Sequence, residues 1–516
     1  MPEQQKPQPN IKEILADYPQ AVKFFSQTPA EVWERISQQM AIKTFKETAS
    51  SIPAYREFLK LKKINPDQVI TTEDFLNLPI LDKYNYIQVY GFNEVNSSKA
   101  GSNLYGFSLS SGTVDQPTIW PRYIQYEDFL PGVFDLFMRL YWQIDKKSTL
   151  LINAFAMGPW IAGFTVHQAV RPLTQRHNLT LATTGADIES IVYSIVKLAK
   201  YYDQVVIYSY PTFARTILDR LELAGVNLRK LRLKMFIAGE GHTVEWRQYI
   251  NKLISGDSEN ITDIIDGYGI TDVGLAGMGS AMTNLIRDLA HKNIKFRESL
   301  FGRKDIVPTL FQYNPGTYYV EAINGETVFT TTSTTPLVRY NVHDRGGTIS
   351  FRNMEKVLTE HGYDYKEILK KKKINPDIVW QQPFVYCFGR RDDTVCVGGA
   401  NIFPEQISPV LFSNIVNDIH SFKIAIDHDA KQRSLLYVIL ELKSGIKYTS
   451  QKIRTKKKKY HDIIVKQLKS ANLDFADAYR IDPRSCDPKI EIFSAGTGPF
   501  ADDVRKTKPR LIIRKK

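Results

Sequence analysis

Cysteine is scarce in this chain of 516 residues, which holds Cys387, Cys396 and Cys486 and no others. A sparse, odd set without paired C-x-x-C spacing excludes a disulfide framework and a structural zinc site, and it fits a reducing cytoplasm. A membrane span is not expected either. The stretch from Ser148 to Val170 carries no Asp, Glu, Lys or Arg, but Asn153, Gly158, Pro159, Gly163, His167 and Gln168 interrupt it. It reads as a buried strand leading into a helix. Two phosphate-binding signatures are missing as well. No Gly-Lys-Ser/Thr follows the serine-rich loop at 107–117, and Gly267, Gly269 and Gly274 lack dinucleotide-binding spacing.

Acidic residues are in deficit: 55 Asp and Glu against 68 Lys and Arg leave a net charge of +13. The excess gathers at Lys370 to Lys373, at Lys456 to Lys459 and in the C-terminal RKTKPRLIIRKK. Solvated helix faces account for the lysine runs, and no nucleic-acid-binding motif with stacking aromatics accompanies them, so no nucleic-acid partner is expected. A basic chain attracts anionic substrates without one.

What the chain does have is 43% apolar residues beside 24% charged ones, the balance of a globular protein, at a length beyond one hydrophobic core. Residues 1–10 are polar and proline-rich and read as a disordered tail rather than a signal peptide. Helical spacing of apolar residues runs from about Ile11 to Leu61. From Thr149 onward strand-like runs (TLLINAF, QVVIYSYP, LRLKMFIAGE, ITDIIDGYG) alternate with amphipathic helices, the pattern of a mainly parallel sheet covered by helices. After Phe388 the chain turns to HSFKIAID, SLLYVILELK and a lysine-rich helix, a small α+β unit. The expected class is α/β, with a large unit over 11–389 and a small mobile unit over 390–516, joined at the polar GRRDD turn.

Four segments carry chemistry. In FSLSSGTVDQP (107–117), Ser110, Ser111 and Thr113 surround Gly112 and offer hydroxyls and bare amides to a polyanion; a plain surface turn is the other reading. In DGYGITDVG (266–274), the preceding apolar run places Tyr268 and Asp272 near the C-terminal end of a parallel strand, where α/β sheets bind ligands. Tyr268 can stack on a base, Thr271 can donate to a phosphate and Asp272 is a hard oxygen ligand for Mg²⁺, although the segment also suits a strand-to-helix turn. In PLVRYNVHDRGG (336–347), Asp344 can accept from a ribose diol or cap a turn, and His343 reads as a loop histidine. In FGRRDDTVCVGGANIFPEQI (388–407), Arg390, Asp392 and Asp393 form a polar hinge or a surface ion cluster. Gly398 and Gly399 mark backbone that bends tightly or approaches a ligand.

Taken in order, these segments resemble the adenylate-forming superfamily of acyl-CoA synthetases, most closely its phenylacetate-CoA ligase branch. IPAYREF (52–58), LPILDKYNY (78–86) and AGEGHTVEW (238–246) look like further signatures of that branch, and the resemblance runs from about residue 50 to the C-terminus. It implies a two-step reaction. A carboxylate and ATP give an acyl-adenylate and pyrophosphate; the small domain then rotates and a thiol, usually coenzyme A, takes the acyl group. It also implies Mg²⁺, and it allows an acyl carrier protein or an amine as acceptor and a homodimer as assembly. Carried over, Ser110, Ser111, Gly112 and Thr113 are similar to the phosphate loop, and Gly239, Glu240, Tyr268 and Gly269 to the adenine pocket. Thr271 and Asp272 match the phosphate and magnesium positions, Asp344 the ribose acid, Arg390 a ribose or phosphate contact and Asp392 the pivot. Lys508 or Lys506 is the expected mobile cation. Tyr208, Tyr210, Phe213, Gly274 and Gly277 would shape the pocket of an apolar or aromatic acid.

The chain departs from the pattern at Val114 and Asp115 in the phosphate loop, at Asp272 where glutamate is usual, at Asn341 to His343 before the ribose acid, and through an insertion over 351–380. A degenerate nucleotide-binding homologue without ligase activity is the alternative these departures favour.

Overall fold

The structure, a computed structural model, describes residues 11–97, 104–110, 117–304, 306–390, 395–411, 418–443, 445–446, 448–501 and 512–514. Strands β1 (Leu104–Ser110) and β2 (Thr118–Tyr123) pair as an antiparallel hairpin. An 11-stranded sheet forms the centre of the large lobe. Its strands are β3 (Thr149–Asn153), β4 (Leu179–Ala182), β5 (Gln204–Ser209), β6 (Lys234–Ala238), β7 (Ile264–Ile270), β8 (Gly274–Met278), β9 (Thr309–Gln312), β10 (Tyr318–Ile323), β11 (Glu326–Thr331), β12 (Leu337–Ile349) and β13 (Phe384–Arg390). Their order across the sheet is β10-β11-β12-β13-β9-β8-β7-β6-β5-β3-β4.

The half from β4 to β7 is parallel, as the alternation of strands and helices implied. Every residue of β5 is buried, the signature of a strand covered on both faces. The covering helices start where the sequence supplies donors or acceptors for their first turn. Thr243 accepts from the Trp246 amide at 3.1 Å before helix Val244–Ile254, and Pro211 opens helix Pro211–Leu223. From β7 onward every pairing is antiparallel, which the strand-helix alternation did not foreshadow. Short turns join β7 to β8 and β10 to β11, while helices still separate β8 from β9 and β12 from β13. Asn324 and Gly325, at φ 53° and 76°, make the tight reversal between β10 and β11.

The insertion over 351–380 folds as helices Phe351–Glu360 and Tyr365–Lys371, whose Phe351, Met354, Leu358 and Leu369 join a core shared with Phe296 and Phe384. It bridges β12 and β13 without disturbing their pairing. N-terminal helix Ala30–Ser51 buries Trp33, Ile36, Met40, Ala41 and Phe45 at helical spacing. The 148–170 stretch contains β3 and helix Ile161–Val170; among the described residues no helix is long and apolar enough to cross a membrane.

The small lobe carries the hairpin β14 (Val395–Val397) and β15 (Ala400–Ile402), turned by Gly398 and Gly399 at φ 59° and 83°. A separate sheet holds β16 (Ile419–His428), β17 (Ser434–Leu442), β18 (Lys489–Phe493) and β19 (Ile512–Arg514) in the order β18-β17-β16-β19. Helix Ser450–Ala471 packs Tyr460, Ile464 and Leu468 into a core of its own with Phe422, Ile424 and Val438. Within the lysine run on this helix, Lys456 is not merely solvated: its ammonium pairs with Asp418 at 2.7 Å.

Candidate active site

A cleft of about 1090 Å³ opens between the two lobes. The large lobe lines it with the C-terminal ends of β6 and β7, the β7-β8 turn and the middle of β12; the small lobe adds Cys396, Gly398, Gly399 and Asp477. Ser110, Tyr210, Gly239, Glu240, Tyr268, Gly269, Thr271, Asp272, Gly274 and Asp344, scattered along the sequence, all face this one space.

Tyr268 and Asp344 meet directly. The phenol, on β7, donates to Asp344 Oδ2 on β12 at 2.5 Å, and its ring stacks on Phe311 with centroids 5.2 Å apart and planes at 14°. Burial, and then the neighbouring Asp344 carboxylate, pushes the Tyr268 phenol well above its ordinary pKa, so it stays a neutral donor. Asp272 sits in the turn between β7 and β8, a strand-to-strand reversal rather than a strand-to-helix one. The Tyr340 hydroxyl donates to its Oδ2 at 2.7 Å. The backbone carbonyl of Thr271 accepts from Arg122 at 2.6 Å, and Arg122 in turn pairs with Glu127 at 3.1 Å. The turn is thereby braced against β2.

At the end of β1, Ser110 Oγ accepts from Lys83 Nζ at 3.2 Å and from the Trp120 indole at 3.1 Å. Lys83 was not among the residues singled out from sequence. It reaches the cleft because Leu81 is stitched to β12: the Leu81 amide donates to Arg339 O at 3.0 Å and the Asn341 amide to Leu81 O at 2.7 Å. The only local signal was a lysine inside LPILDKYNY. Ser111, Gly112, Thr113, Asp392, Lys506 and Lys508 lie outside the described residues. Arg390 is described only in its backbone, which pairs opposite Asp344 at the end of β13.

Glu240 follows β6 and meets both lobes. Its Oε2 accepts from Thr212 Oγ1 at 2.9 Å, at the start of helix Pro211–Leu223, and its Oε1 accepts from the Gly399 amide of the small lobe at 2.5 Å. Burial raises its carboxyl above the usual value against the pull of these hydrogen bonds. Behind it, His242 and Arg287 grip Asp266 at 2.9 Å each, and burial lowers the Arg287 guanidinium to about 10. This buried cluster holds the end of β6 against β7.

The apolar end of the cleft is walled by Phe134, Phe155, Trp160, Val166, Tyr210 and Phe236. Of the five positions expected to shape an acyl pocket, Tyr210 and Gly274 line the cleft. Tyr208, Phe213 and Gly277 are not among its lining residues. Tyr208 points into the core against Phe236, with centroids 4.8 Å apart, and Phe213 is buried on the other side of the sheet with Ile207 and Leu218. Gly277 is crowded, since a Cβ there would lie 2.9 Å from Phe311 Cβ. Phe134, Phe155, Trp160 and Phe236 were missed because their aromatic positions carry no local motif.

Asp272 lines the cleft together with Ser110, Lys83 and Asp82, and among the described residues no cluster of three or more His, Cys, Asp or Glu side chains could hold a metal alone. That donor set fits Mg²⁺ arriving with phosphates, because Mg²⁺ takes one or two carboxylates and completes its shell with phosphate and water oxygens.

No family model matches the chain. It is 20% identical over 371 residues to a phenylacetate-coenzyme A ligase of Aromatoleum evansii, covering 70% of this chain and 72% of that protein. Its structure overlaps 2-hydroxyisobutyryl-CoA ligase, solved with 2-HIB-AMP and CoA in the thioesterification state, with a TM-score of 0.62 at 15% identity, over 95% of this chain and 91% of that one. The same ligase in the postadenylation state with R3-HIB-AMP gives 0.51 at 14% identity, over 96% and 92%. The chain is a homologue of phenylacetate-CoA ligase and has the fold of the adenylate-forming acyl-CoA ligases.

Proposed function

We propose that this chain is an ATP-dependent carboxylic acid ligase that activates an apolar or aromatic acid as its acyl-adenylate and passes the acyl group to coenzyme A. The observation that carries the reading is the convergence, in one cleft, of a phosphate end (Lys83, Ser110, Asp272), a nucleoside end (Tyr268, Asp344) and an apolar end walled by aromatics. In the first step a carboxylate oxygen attacks the α-phosphorus of ATP, a new P–O bond forms, and the bond to the bridging oxygen breaks to release pyrophosphate. Asp344, held by the Tyr268 phenol, accepts from the ribose hydroxyls. Lys83 offsets phosphate charge beside Ser110, and Asp272 is the group that would hold Mg²⁺, which when bound supplies charge neutralisation to the phosphates. Lys508 or Lys506 is the proposed mobile cation for this step, and Asp392 the proposed pivot between units split near 389/390.

In the second step the thiol of coenzyme A attacks the acyl carbon and AMP leaves. The insertion of the Gly398-Gly399 turn beside Gly239 and Tyr210 supports reading the present arrangement as the one for this step. So does the closer overlap with the thioesterification state of the 2-hydroxyisobutyryl enzyme, 0.62 against 0.51. The aromatic wall favours an acid with an apolar body. A cytoplasmic setting is proposed from the three cysteines, which form no disulfide.

The test is exchange of labelled pyrophosphate into ATP, dependent on added acid, across aliphatic and aromatic acids, followed by detection of the acyl-CoA. Exchange without acyl-CoA would move the acceptor to a carrier protein or an amine. No exchange with any acid would overturn the ligase reading.

A further inference from the structure

We propose that Trp160 and Asp477 form a latch through which the acyl group, by its contact with the pocket wall, holds the small lobe in the arrangement seen here. This rests on the ligase reading and deepens it by making the acyl pocket a determinant of the second step. Trp160 stands just before helix Ile161–Val170, and its indole forms part of the apolar end of the cleft. Its Nε1 donates to Asp477 Oδ2 at 2.9 Å, across the lobe boundary to helix Leu473–Ile481. The same ring is thus a wall for the acyl group and a donor to the other lobe.

A second wall residue behaves alike. The Tyr210 ring lies under the Gly399 turn of the small lobe, so close that a Cβ at Gly399 would sit 3.0 Å from Tyr210 Cε1. Phe155 meets Tyr210 edge-on at 5.0 Å, which fixes the ring from the pocket side. The helix that begins after Tyr210 adds two more cross-lobe bonds: Thr216 Oγ1 donates to Asp482 Oδ2 at 2.6 Å, and Arg215 Nε donates to Lys431 O at 2.9 Å. Trp160 and Tyr210 stand in the cleft wall, and Arg215 and Thr216 lie on the helix that leaves it. A bound group shifts a two-state equilibrium only by its differential affinity for the two states. An acyl body that presses Trp160 and Tyr210 into these positions has such a difference, because both rings have small-lobe partners only in this arrangement. Asp477 touches no reacting atom in this scheme; it is a positioning residue.

The experiment compares wild type, Asp477→Ala and Asp477→Asn in two assays: acid-dependent pyrophosphate exchange, and single-turnover transfer to coenzyme A from supplied acyl-adenylate. Asparagine keeps an acceptor for the indole N–H but loses the ion pair that Asp477 makes with Arg480 at 3.2 Å. Loss of one such hydrogen bond should lower transfer relative to exchange about three- to tenfold in Asp477→Ala. Asp477→Asn should keep most of the wild-type ratio. In the wild type the ratio should rise with the bulk of the acids that support exchange, and in Asp477→Ala that dependence should flatten. An unchanged ratio in Asp477→Ala, or an equal fall in Asp477→Asn, overturns the latch while leaving the ligase reading intact. Absence of exchange in the wild type overturns the ligase reading and the latch with it.

Discussion

Replacing Gly399 by alanine should slow transfer to coenzyme A far more than it slows adenylation, and the structure gives the size of the difference. At φ 83° alanine costs roughly 1–2 kcal/mol relative to glycine. That cost belongs to the β14-β15 hairpin itself, so it is carried in every lobe arrangement and cancels between the half-reactions. The contact with Tyr210 does not cancel. The new methyl would lie 3.0 Å and 3.3 Å from two ring carbons, and the ring is confined on other sides: Phe155 abuts it, and the Gly239 backbone runs so close that even a Cβ there would lie 2.8 Å from the same carbons. Forcing one methyl into a packed site costs about 1–3 kcal/mol, here only when the lobes are as observed, which converts to roughly 5- to 150-fold in the transfer rate. The assay is pyrophosphate exchange beside single-turnover transfer from supplied acyl-adenylate. Gly398→Ala is the control, since its Cβ would meet Ala478 at 2.9 Å and Cys486 Sγ at 3.0 Å, both inside the small lobe. It should lower the melting temperature without favouring either half-reaction. Equal losses in both half-reactions of Gly399→Ala would refute the reasoning.

Three further outcomes are expected. Lys83→Ala removes a cation from beside Ser110, and a charged hydrogen bond of about 1.5–3 kcal/mol predicts roughly 10- to 150-fold weaker exchange with a raised KM for ATP; an unchanged KM would separate Lys83 from the phosphates. Tyr268→Phe keeps the ring on Phe311 but strips the donor from Asp344, and nucleotide affinity by calorimetry should fall by about 1–3 kcal/mol. In the small lobe, burial would raise Asp418, but hydrogen bonds from Lys456, Tyr448 and Tyr460 outweigh it and bring the carboxyl from 3.8 to about 2. A depressed carboxyl stabilises the fold above its unfolded value and loses that contribution as pH falls through the folded one, so Asp418→Asn should flatten the acid unfolding curve between pH 3.8 and about 2. A variant curve parallel to wild type across that interval would contradict this.

The convergence of Tyr268, Asp272 and Asp344 was legible because each sits in a short glycine-bearing segment, Tyr268 and Asp272 near or just past the end of β7 and Asp344 within β12. Tyr268, Asp272 and Asp344 therefore arrive together as read. Lys83 was illegible for the opposite reason, since only the pairing of Leu81 with Arg339 and Asn341, far apart in sequence, brings its ammonium to Ser110. The aromatic wall of the cleft was half legible. YSYPTF marks the right place, but β5 is buried on both faces, so period-two burial cannot tell which of Tyr208 and Tyr210 meets the cavity. Phe213 lies inside helix Pro211–Leu223 and turns into the core. The antiparallel half of the sheet escaped because its strands follow mixed connections, tight turns such as Asn324-Gly325 and helical stretches such as Ala281–Lys292 between β8 and β9, so no single alternation announces the pairing direction.

Glu240 explains how such a cleft can hold its lobes together without freezing them. A buried carboxylate with no cation beside it is costly unless donors surround it. Thr212 supplies two, its hydroxyl and its amide, both from the large lobe, and the Gly399 amide supplies a third from the small lobe, the one that would leave in the proposed movement. In the proposed movement, departure of that lobe would uncover Glu240 at the same moment, so water would take the vacated place and the polar part of the contact would be nearly balanced between arrangements. The packing of Gly399 on Tyr210 has no such substitute, since water does not replace an apolar contact. In the proposed exchange between arrangements, the preference would therefore be set mainly by the aromatic wall of the cleft, and the carboxylate would keep that exchange reversible.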